Sequence, residues 1–207
     1  MTGRLPRAAR RTQILDLADE MFLTEGFANV SMEELAERSG ITKPVIYDHF
    51  GSKDGLFRAM LRRHAAALSV AVARAVDAAE GPEARFRAGG QAYFAWVAER
   101  GPAVTVVLDG VANAATGVSQ HVRVLRSQQV EQTHEILVET LRQAGVPVDE
   151  AVRSDLAPVV QMLSAAYEAL ALWWQRDAPG LSIDEVNDRF CRLMWPGLRA
   201  GLASVAP

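Results

Sequence analysis

Residues 40–53 combine cationic, aromatic and small apolar side chains within one short segment. If residues 43–50 form a helix, Ile46 and Phe50 are four apart and face a core. The remaining positions point outward and are Lys43, Pro44, Val45, Tyr47 and His49. Lysine and tyrosine bind phosphate oxygens, and small apolar groups contact thymine methyls. The segment is therefore typical of a surface that enters a DNA groove.

The residues around this helix supply its start and the end of the helix before it. Gly40 can adopt the left-handed conformation that ends a helix, and Thr42 is a good N-cap. Pro44 then falls at the second helical position, where its missing amide hydrogen costs nothing. The Thr42 hydroxyl is expected to accept a hydrogen bond from the amide of Val45.

The preceding segment, 31–39, reads as another short helix. Ser31 is followed three residues later by Glu34, which is the spacing of a capping box. Two short helices joined by a turn at Gly40 predict a helix-turn-helix at about 31–50, whose second helix enters the major groove.

Residues 8–68 resemble the DNA-binding domain of TetR-family transcriptional regulators. The matching residues are Ile14, Ala18, Phe22, Gly26, Phe27, Ser31, Met32, Leu35, Ala36, Gly40, Ile41, Lys43, Tyr47, Phe50, Ser52, Lys53, Leu56 and Phe57. The resemblance implies an all-α, TetR-like fold, with an N-terminal three-helix helix-turn-helix domain (8–68) and a larger C-terminal helical domain (69–207) for effector binding and dimerisation.

DNA contacts are expected from the motif, the start of the next helix and the basic N-terminus. Many family members have Gly-Thr where this chain has Pro44-Val45, and valine favours contact with a thymine methyl over a polar base contact. The N-terminal arginines Arg4, Arg7, Arg10 and Arg11 form a basic arm without an acid. The predicted DNA-binding residues are Arg10, Arg11, Ser31, Thr42, Lys43, Pro44, Val45, Tyr47, His49 and Lys53.

Composition is that of an ordinary globular protein of 207 residues with a formal net charge of −3. The single cysteine, Cys191, cannot form an intrachain disulfide, which fits a reducing cytoplasm. The Arg-rich N-terminus lacks the apolar core of a secretory signal. Because no uncharged apolar run approaches about 18 residues, we expect a cytoplasmic location without membrane insertion.

Apolar periodicity predicts helices over residues 10–24, 52–80, 83–100, 119–144, 149–176 and 182–204. Gly89-Gly90 indicates either a close helix approach or room for a ligand. Pro158 either kinks its helix or stands in the first turn of a new one that starts at Asp155, and the kink is preferred. Pro196 is expected to kink the last helix.

No enzyme or cofactor signature is found, because the chain lacks the HExxH, CxxC, G-x-S-x-G and phosphate-loop patterns. A metal site built from His121, His134 and Asp109 is an alternative to the prediction of no metal. Aromatic and polar residues of the second domain predict a ligand pocket. Its candidates are Phe86, Tyr93, Trp96, Gln129, His134 and Met162.

The last two long helices are rich in Ala, Leu and Trp, and an antiparallel pair that meets its copy would bury them in a four-helix bundle. The predicted interface residues are Tyr167, Leu170, Trp174, Phe190, Met194 and Leu198. The chain is therefore predicted to be a non-enzymatic homodimeric repressor that binds a pseudo-palindromic operator and is released by an unknown small apolar or aromatic effector. The alternatives are a TetR-like activator and a small-molecule-binding protein with a vestigial helix-turn-helix.

Overall fold

The computed structural model describes residues 5–100 and 117–205, and in these ranges it contains eight helices and no strand. The predicted all-α fold is confirmed. The described chain divides into two compact units. Among the described residues, the first unit contains the chain up to Ala65 and residues 117–125. The second unit contains residues 66–100 and 126–205. Residues 101–116 lie outside the described residues.

The first unit is a small helical domain around one apolar core. Its helices are α1 (Arg7–Glu25), α2 (Met32–Ser39), α3 (Lys43–Phe50) and the first part of α4 (Lys53–Asp77). Phe22, Ile46 and Phe57 are fully buried in this core, and Phe50 packs against it. The prediction that Ile46 and Phe50 face a core is therefore confirmed.

Local hydrogen bonds fix the turn between α2 and α3. Ser31 Oγ accepts a hydrogen bond from the Glu34 amide at 3.0 Å. Gly40 has φ 65° and ψ 29°, the left-handed conformation expected at the end of α2. The predicted Thr42 side-chain cap is wrong, because the Val45 amide donates instead to the Thr42 carbonyl at 3.0 Å. The chain thus starts α3 with a backbone turn and does not use the Thr42 hydroxyl.

The second unit is a bundle of longer helices. It contains the second half of α4, α5 (Pro82–Arg100), most of α6 (Gly117–Gln143), α7 (Glu150–Asp177) and α8 (Ile183–Val205). Asp149 caps α7 by accepting from the Val152 amide at 2.9 Å. A complete capping box starts α8, since the Ser182 amide donates to Glu185 Oε2 at 2.8 Å and the Glu185 amide donates to Ser182 Oγ at 3.2 Å.

Helices α7 and α8 continue through their internal prolines. Pro158 lies inside α7, so the alternative of a fresh helix starting at Asp155 is wrong. Pro196 lies inside α8 in the same way. By length and composition α7 could cross a membrane, yet the core helix of a soluble protein can be equally long and apolar. Only 22% of the residues in its most apolar 18-residue window are buried, so much of its apolar surface is left uncovered in a single chain.

The glycine pair of α5 marks a close approach between helices. A Cβ at Gly89 would lie 3.3 Å from a methyl group of Val76 on α4. A Cβ at Gly90 would collide with Tyr167 Oη of α7 and Asn187 Oδ1 of α8. The two glycines therefore let α5 pack closely against α4, α7 and α8. Both also line a cavity within the second unit.

Candidate nucleic-acid interface and ligand cavity

Helix α3 buries one side and exposes the other. Ile46 is completely buried in the core of the first unit, whereas Val45 and Tyr47 are 37% and 44% exposed. Thr42 and Pro44 are also exposed, and Lys43 and His49 are partly so. An exposed valine and tyrosine beside a lysine are unusual on a solvated helix, and they match the groups that contact thymine methyls and phosphates.

Three arginines of the basic arm, Arg7, Arg10 and Arg11, lie on α1, which begins at Arg7. Arg7 Nη1 donates to Asp48 Oδ2 on α3 at 2.8 Å. The Arg11 guanidinium lies 5.2 Å from the centre of the Phe50 ring, and Arg10 donates to Gln13 at 2.7 Å. The predicted helix 10–24 therefore begins three residues earlier, at Arg7, and the DNA contacts of the basic arm stay a prediction. Arg4 lies outside the described residues.

The two lysines of the candidate interface are already engaged. Lys43 forms an ion pair with the exposed carboxylate of Glu33 on α2, and this pair lowers the pKa of Glu33. Lys53 Nζ donates to the Ala28 carbonyl at 3.4 Å and lies 4.7 Å from the centre of the Phe27 ring. Desolvation at that position lowers the pKa of Lys53. A phosphate at either lysine must compete with these partners.

Two ion-pair networks that the sequence analysis did not predict hold the first unit together. Arg38 of α2 bonds Glu20 at 2.9 Å and Glu25 at 3.1 Å on α1. Asp19 of α1 accepts from Arg63 at 2.8 Å and contacts His64, both on α4. Burial opposes ionisation of Asp19, but the hydrogen bonds and charges of His64 and Arg63 hold its pKa below 3.8. These partners are 13 to 45 residues apart, so no local spacing reveals them.

A cavity of 1080 Å³ lies within the second unit. This volume is at the top of the range of about 300–1,000 Å³ that ligand sites occupy. Its walls are mainly apolar side chains of all five helices, among them Leu68, Val72, Val130, Leu163 and Met194. Polar side chains also line the cavity, but they form a minor part of its surface, as expected of a small-molecule site.

Four of the six predicted ligand residues line this cavity: Phe86, Tyr93, Gln129 and Met162. Burial strongly raises the pKa of Tyr93, so its phenol stays protonated. Trp96 and His134 are not among the lining residues. Trp96 is buried with Arg100 4.9 Å from its ring, and His134 Nε2 lies 2.9 Å from the Arg153 carbonyl.

Of the six predicted dimer residues, five are buried in the protomer or line its cavity. Trp174 is buried and donates from Nε1 to the Leu181 carbonyl at 2.9 Å. Phe190 is buried with its ring 4.6 Å from that of Tyr167, which itself lines the cavity. Met194 and Leu198 also line the cavity, and Leu170 is half-buried. The apolar side chains of α7 and α8 that are most exposed are Met162 (54%), Trp173 (41%) and Leu193 (78%).

One cluster of possible metal ligands is found among the described residues. Candidate ligand atoms of Glu131, His134 and Glu135 lie within 4.8 Å of one another. Arg153 occupies the Glu135 carboxylate at 2.6 and 3.2 Å, which leaves a poor set of donors. Asp109 and the side chain of His121 lie outside the described residues, so the alternative metal site stays a prediction.

Comparisons with known proteins agree with this geometry. Residues 14–60 match the family model described as "Bacterial regulatory proteins, tetR family". The chain is 28% identical over 196 residues to the HTH-type transcriptional activator FasR of Mycolicibacterium smegmatis, covering 95% of this chain and 86% of FasR. The chain is also 37% identical over 59 residues to the HTH-type transcriptional repressor ComR of Escherichia coli, and this match covers 28% of each chain.

A solved TetR-like transcriptional regulator from Rhodococcus sp. RHA1 has the same fold, with a TM-score of 0.69 and 28% identity. The match covers 95% of this chain and 99% of that one. The helix-turn-helix and the larger helical unit therefore define a DNA-binding transcriptional regulator. Residues 14–60 match the TetR family, and the chain as a whole is similar in fold to a TetR-like regulator.

Proposed function

We propose that the protein binds a pseudo-palindromic operator through α3, with contacts from the predicted set Arg10, Arg11, Ser31, Thr42, Lys43, Pro44, Val45, Tyr47, His49 and Lys53. The observation that carries this proposal is the outward face of α3, where Val45 and Tyr47 stand exposed beside Lys43. The arginines at the start of α1 add positive charge next to that face. Cations there neutralise phosphates, and the exposed apolar groups read base edges.

We propose further that the functional form is a homodimer that meets through α7 and α8. The uncovered apolar surface of α7 and the exposed Trp173 and Leu193 support a partner on this side of the second unit. A two-fold pair of recognition helices then spans half-sites about 34 Å apart, one helical turn of DNA. Domains at 8–68 for DNA binding and 69–207 for effector binding and dimerisation accompany this proposal. The site of action is the cytoplasm.

The cavity makes the regulator responsive to a small molecule. Helix α4 is continuous from Lys53 to Asp77: its first half contributes Leu56 and Phe57 to the core of the first unit, and its second half lines the cavity with Leu68 and Val76. A ligand that favours one of two arrangements of α4 changes operator affinity by its differential binding, typically about 1–3 kcal/mol.

The sign of regulation that we propose is repression with release by the ligand. Activation is the second candidate, because the relative that matches 95% of this chain is named an activator. Transcription in vitro from the operator-bearing promoter separates the two. A repressor lowers transcript yield and the ligand restores it, whereas an activator raises the yield above that of polymerase alone.

Two variants of α3 test the DNA-binding proposal. Lys43→Ala and Tyr47→Phe should each weaken operator binding about 5- to 100-fold while leaving the dimer and its thermal stability intact, because both side chains lie outside the core. Arg62→Ala, an exposed cation of the same unit outside the proposed set, is the matched control. Wild-type binding by both variants overturns the assignment of α3. Equal, weak binding of wild type to every DNA supports a vestigial helix-turn-helix.

A further inference from the structure

One arginine of the cavity lining, Arg85 on α5, differs from the other partly buried arginines of the second unit. Within the described part of this unit, Arg87, Arg100, Arg126 and Arg153 each pair with a carboxylate, at 2.6, 2.9, 3.1 and 2.6 Å. Arg85 is partly buried too, but its partners among the described residues are neutral. The sequence of this unit contains no lysine. Arg85 is therefore the one partly buried guanidinium described in this unit that lacks a carboxylate partner.

The bonds that Arg85 makes are long. Its Nε donates to the Ala79 carbonyl at 3.3 Å, and its Nη1 donates to Thr140 Oγ1 at 3.5 Å. An N–H···O bond is usually about 2.9–3.0 Å long, and a bond between charged groups is shorter still. A guanidinium carries five N–H donors. Arg85 can therefore bind a further partner without losing either of these weak bonds.

The part of the cavity that contains Arg85 is mainly apolar. Arg85 and Thr140 line the cavity together with aliphatic side chains such as Val76, Leu141 and Val152. Apolar walls lower the effective dielectric constant around a charge, so an ion pair that forms there is stronger than one in water. A partly buried charge without a counter-charge is costly for the same reason. An anion that enters the cavity would offset this cost.

The acids of the lining leave Arg85 available to a ligand. The lining acids are Glu131, Glu135, Asp155 and Glu168. Glu168 is paired with Arg126 at 3.1 Å, and the other three are exposed, where solvent and salt screen their charges. None of the four forms an ion pair with Arg85. An anion at Arg85 would therefore meet a cation that no lining acid neutralises.

We propose that the cavity binds an amphipathic monoanion, an apolar molecule with a single carboxylate that forms an ion pair with Arg85. The inference rests on the proposed ligand-responsive function and names the chemical class of its effector. The planar guanidinium matches the two oxygens of a carboxylate. A doubly charged phosphate is disfavoured, because a single cation in an apolar wall leaves its second charge unbalanced.

The shape of the lining suits an extended hydrocarbon chain. The residues of α4 that line the cavity run from Leu68 to Val76, which is about 12 Å along the helix axis. Arg85 donates to Ala79, which follows Val76 by three residues, so the guanidinium lies beyond the same end of this stretch. A carboxylate at Arg85 would therefore leave the length of α4 for the apolar part of the ligand.

Four probes with one hydrocarbon chain and different head groups test the ligand class: decanoate, 1-decanol, decylamine and decyl phosphate. Each is titrated into the full-length protein without DNA, below its micelle-forming concentration, by calorimetry. We expect decanoate to bind about 10- to 100-fold more tightly than decanol, the ratio expected of one charged hydrogen-bonded pair. Decylamine and decyl phosphate should both bind more weakly than decanoate.

Arg85→Gln is the decisive variant, because glutamine can still bond Thr140 and carries no charge. It should lower decanoate affinity about 10- to 100-fold and leave decanol affinity unchanged, which also shows that the cavity is intact. Arg85→Lys keeps the charge without the planar fork and should retain part of the decanoate affinity. Arg87→Gln is the matched control, since Arg87 lies two residues further along α5, outside the lining and paired with Asp188. It should bind decanoate like wild type.

The opposite results overturn the inference. Equal affinities for decanoate and decanol, tighter binding of decylamine or decyl phosphate, or no decanoate binding each contradict the ligand class. A larger loss of decanoate affinity in Arg126→Gln than in Arg85→Gln contradicts the assignment of Arg85. A lower melting temperature of Arg85→Gln with unchanged decanoate affinity means that Arg85 serves the fold through Ala79 and Thr140. Because calorimetry measures binding alone, decanoate binding that leaves operator affinity unchanged counts against the proposed function and not against the ligand class.

Discussion

Lys43 and Glu33 form an ion pair at the point where α3 is proposed to meet phosphates. Exposed pairs of this kind contribute little to stability, so a phosphate can displace Glu33 at small cost. The strength of DNA binding therefore depends on the acids beside the cations of α3, such as Glu33, as well as on the cations themselves.

Glu33→Gln should tighten operator binding about 2- to 5-fold at low salt, because it frees Lys43 and removes a negative charge next to the DNA. Glu37→Gln, which neutralises another exposed acid of α2, is the control for a general charge effect. Fluorescence anisotropy with labelled operator measures both. Weaker binding by Glu33→Gln would show that the pair positions Lys43 productively.

Asp19 is the titrating group that most directly couples α1 to α4. Its folded-state pKa lies below the ordinary value of 3.8, so the folded chain keeps it ionised at a lower pH than the unfolded chain does. Its stabilisation is therefore fully present above about pH 4 and is lost as the pH falls through the folded value.

Asp19→Asn should lower the free energy of unfolding by about 1–3 kcal/mol at pH 7, because it leaves Arg63 and His64 without their half-buried partner. The difference from wild type should shrink below pH 4. Asp16→Asn is the matched control, since Asp16 bonds the same Arg63 at 2.5 Å from a more exposed position. Urea unfolding across a pH series measures the effect, and a difference that grows at low pH would contradict the account.

At the scale of elements, Gly55 sets the distance between α3 and α4. A Cβ at this position would collide with the backbone carbonyl of Phe50, the last residue of α3. A backbone atom cannot move aside as a flexible side chain can, so the two helices must shift apart.

Gly55→Ala should cost about 1–3 kcal/mol of stability, although alanine favours helices by about 1 kcal/mol over glycine. Gly201→Ala in α8 meets nothing within 4 Å and should be neutral or mildly stabilising. Thermal unfolding of both variants provides the comparison. Equal effects of the two substitutions would mean that the contact at Gly55 relaxes freely.

The helix ends that were predicted correctly from the sequence are specified by residues close together in the chain. Ser31 with Glu34 and Gly40 specify helix ends within four residues of chain: Ser31 Oγ caps α2, and Gly40 ends α2 in the left-handed conformation. The start of α1 was missed because Arg7 has no such signal and is held by Asp48, 41 residues away.

Side-chain roles in the second unit were harder to predict for the same reason. Tyr167 and Phe190 have the helical spacing of an interface, but Tyr167 lies against Gly90 and its ring packs 4.6 Å from that of Phe190 within the protomer. Helical periodicity shows that one face of a helix is apolar, but it does not show which part of the protein, or which partner, covers that face. The cavity and the surroundings of Arg85 depend on how five helices meet, which no stretch of sequence specifies.

At the scale of the whole molecule, the uncovered apolar surface of α7 and α8 is proposed to bind a second copy. Trp173→Glu should convert the dimer to a monomer and weaken operator binding about 10-fold or more, because the two half-sites are then bound independently. Val124→Glu, at another exposed apolar position, should leave the assembly unchanged. Light scattering after size-exclusion chromatography reports the mass, and a monomeric wild type or a dimeric Trp173→Glu would contradict the proposed interface.

Fluorescence anisotropy of the purified wild-type protein on the DNA flanking its own gene, across a salt series, measures whether the protein binds DNA through α3. We expect a saturable complex with at least two protomers per site and affinity that falls with salt at a log–log slope of about −0.9 per phosphate contacted. Lys43→Ala should reduce that slope by about one contact. Binding that is weak, insensitive to salt and equal on random DNA, also after selection from random sequences, would show that α3 is not a DNA-binding helix.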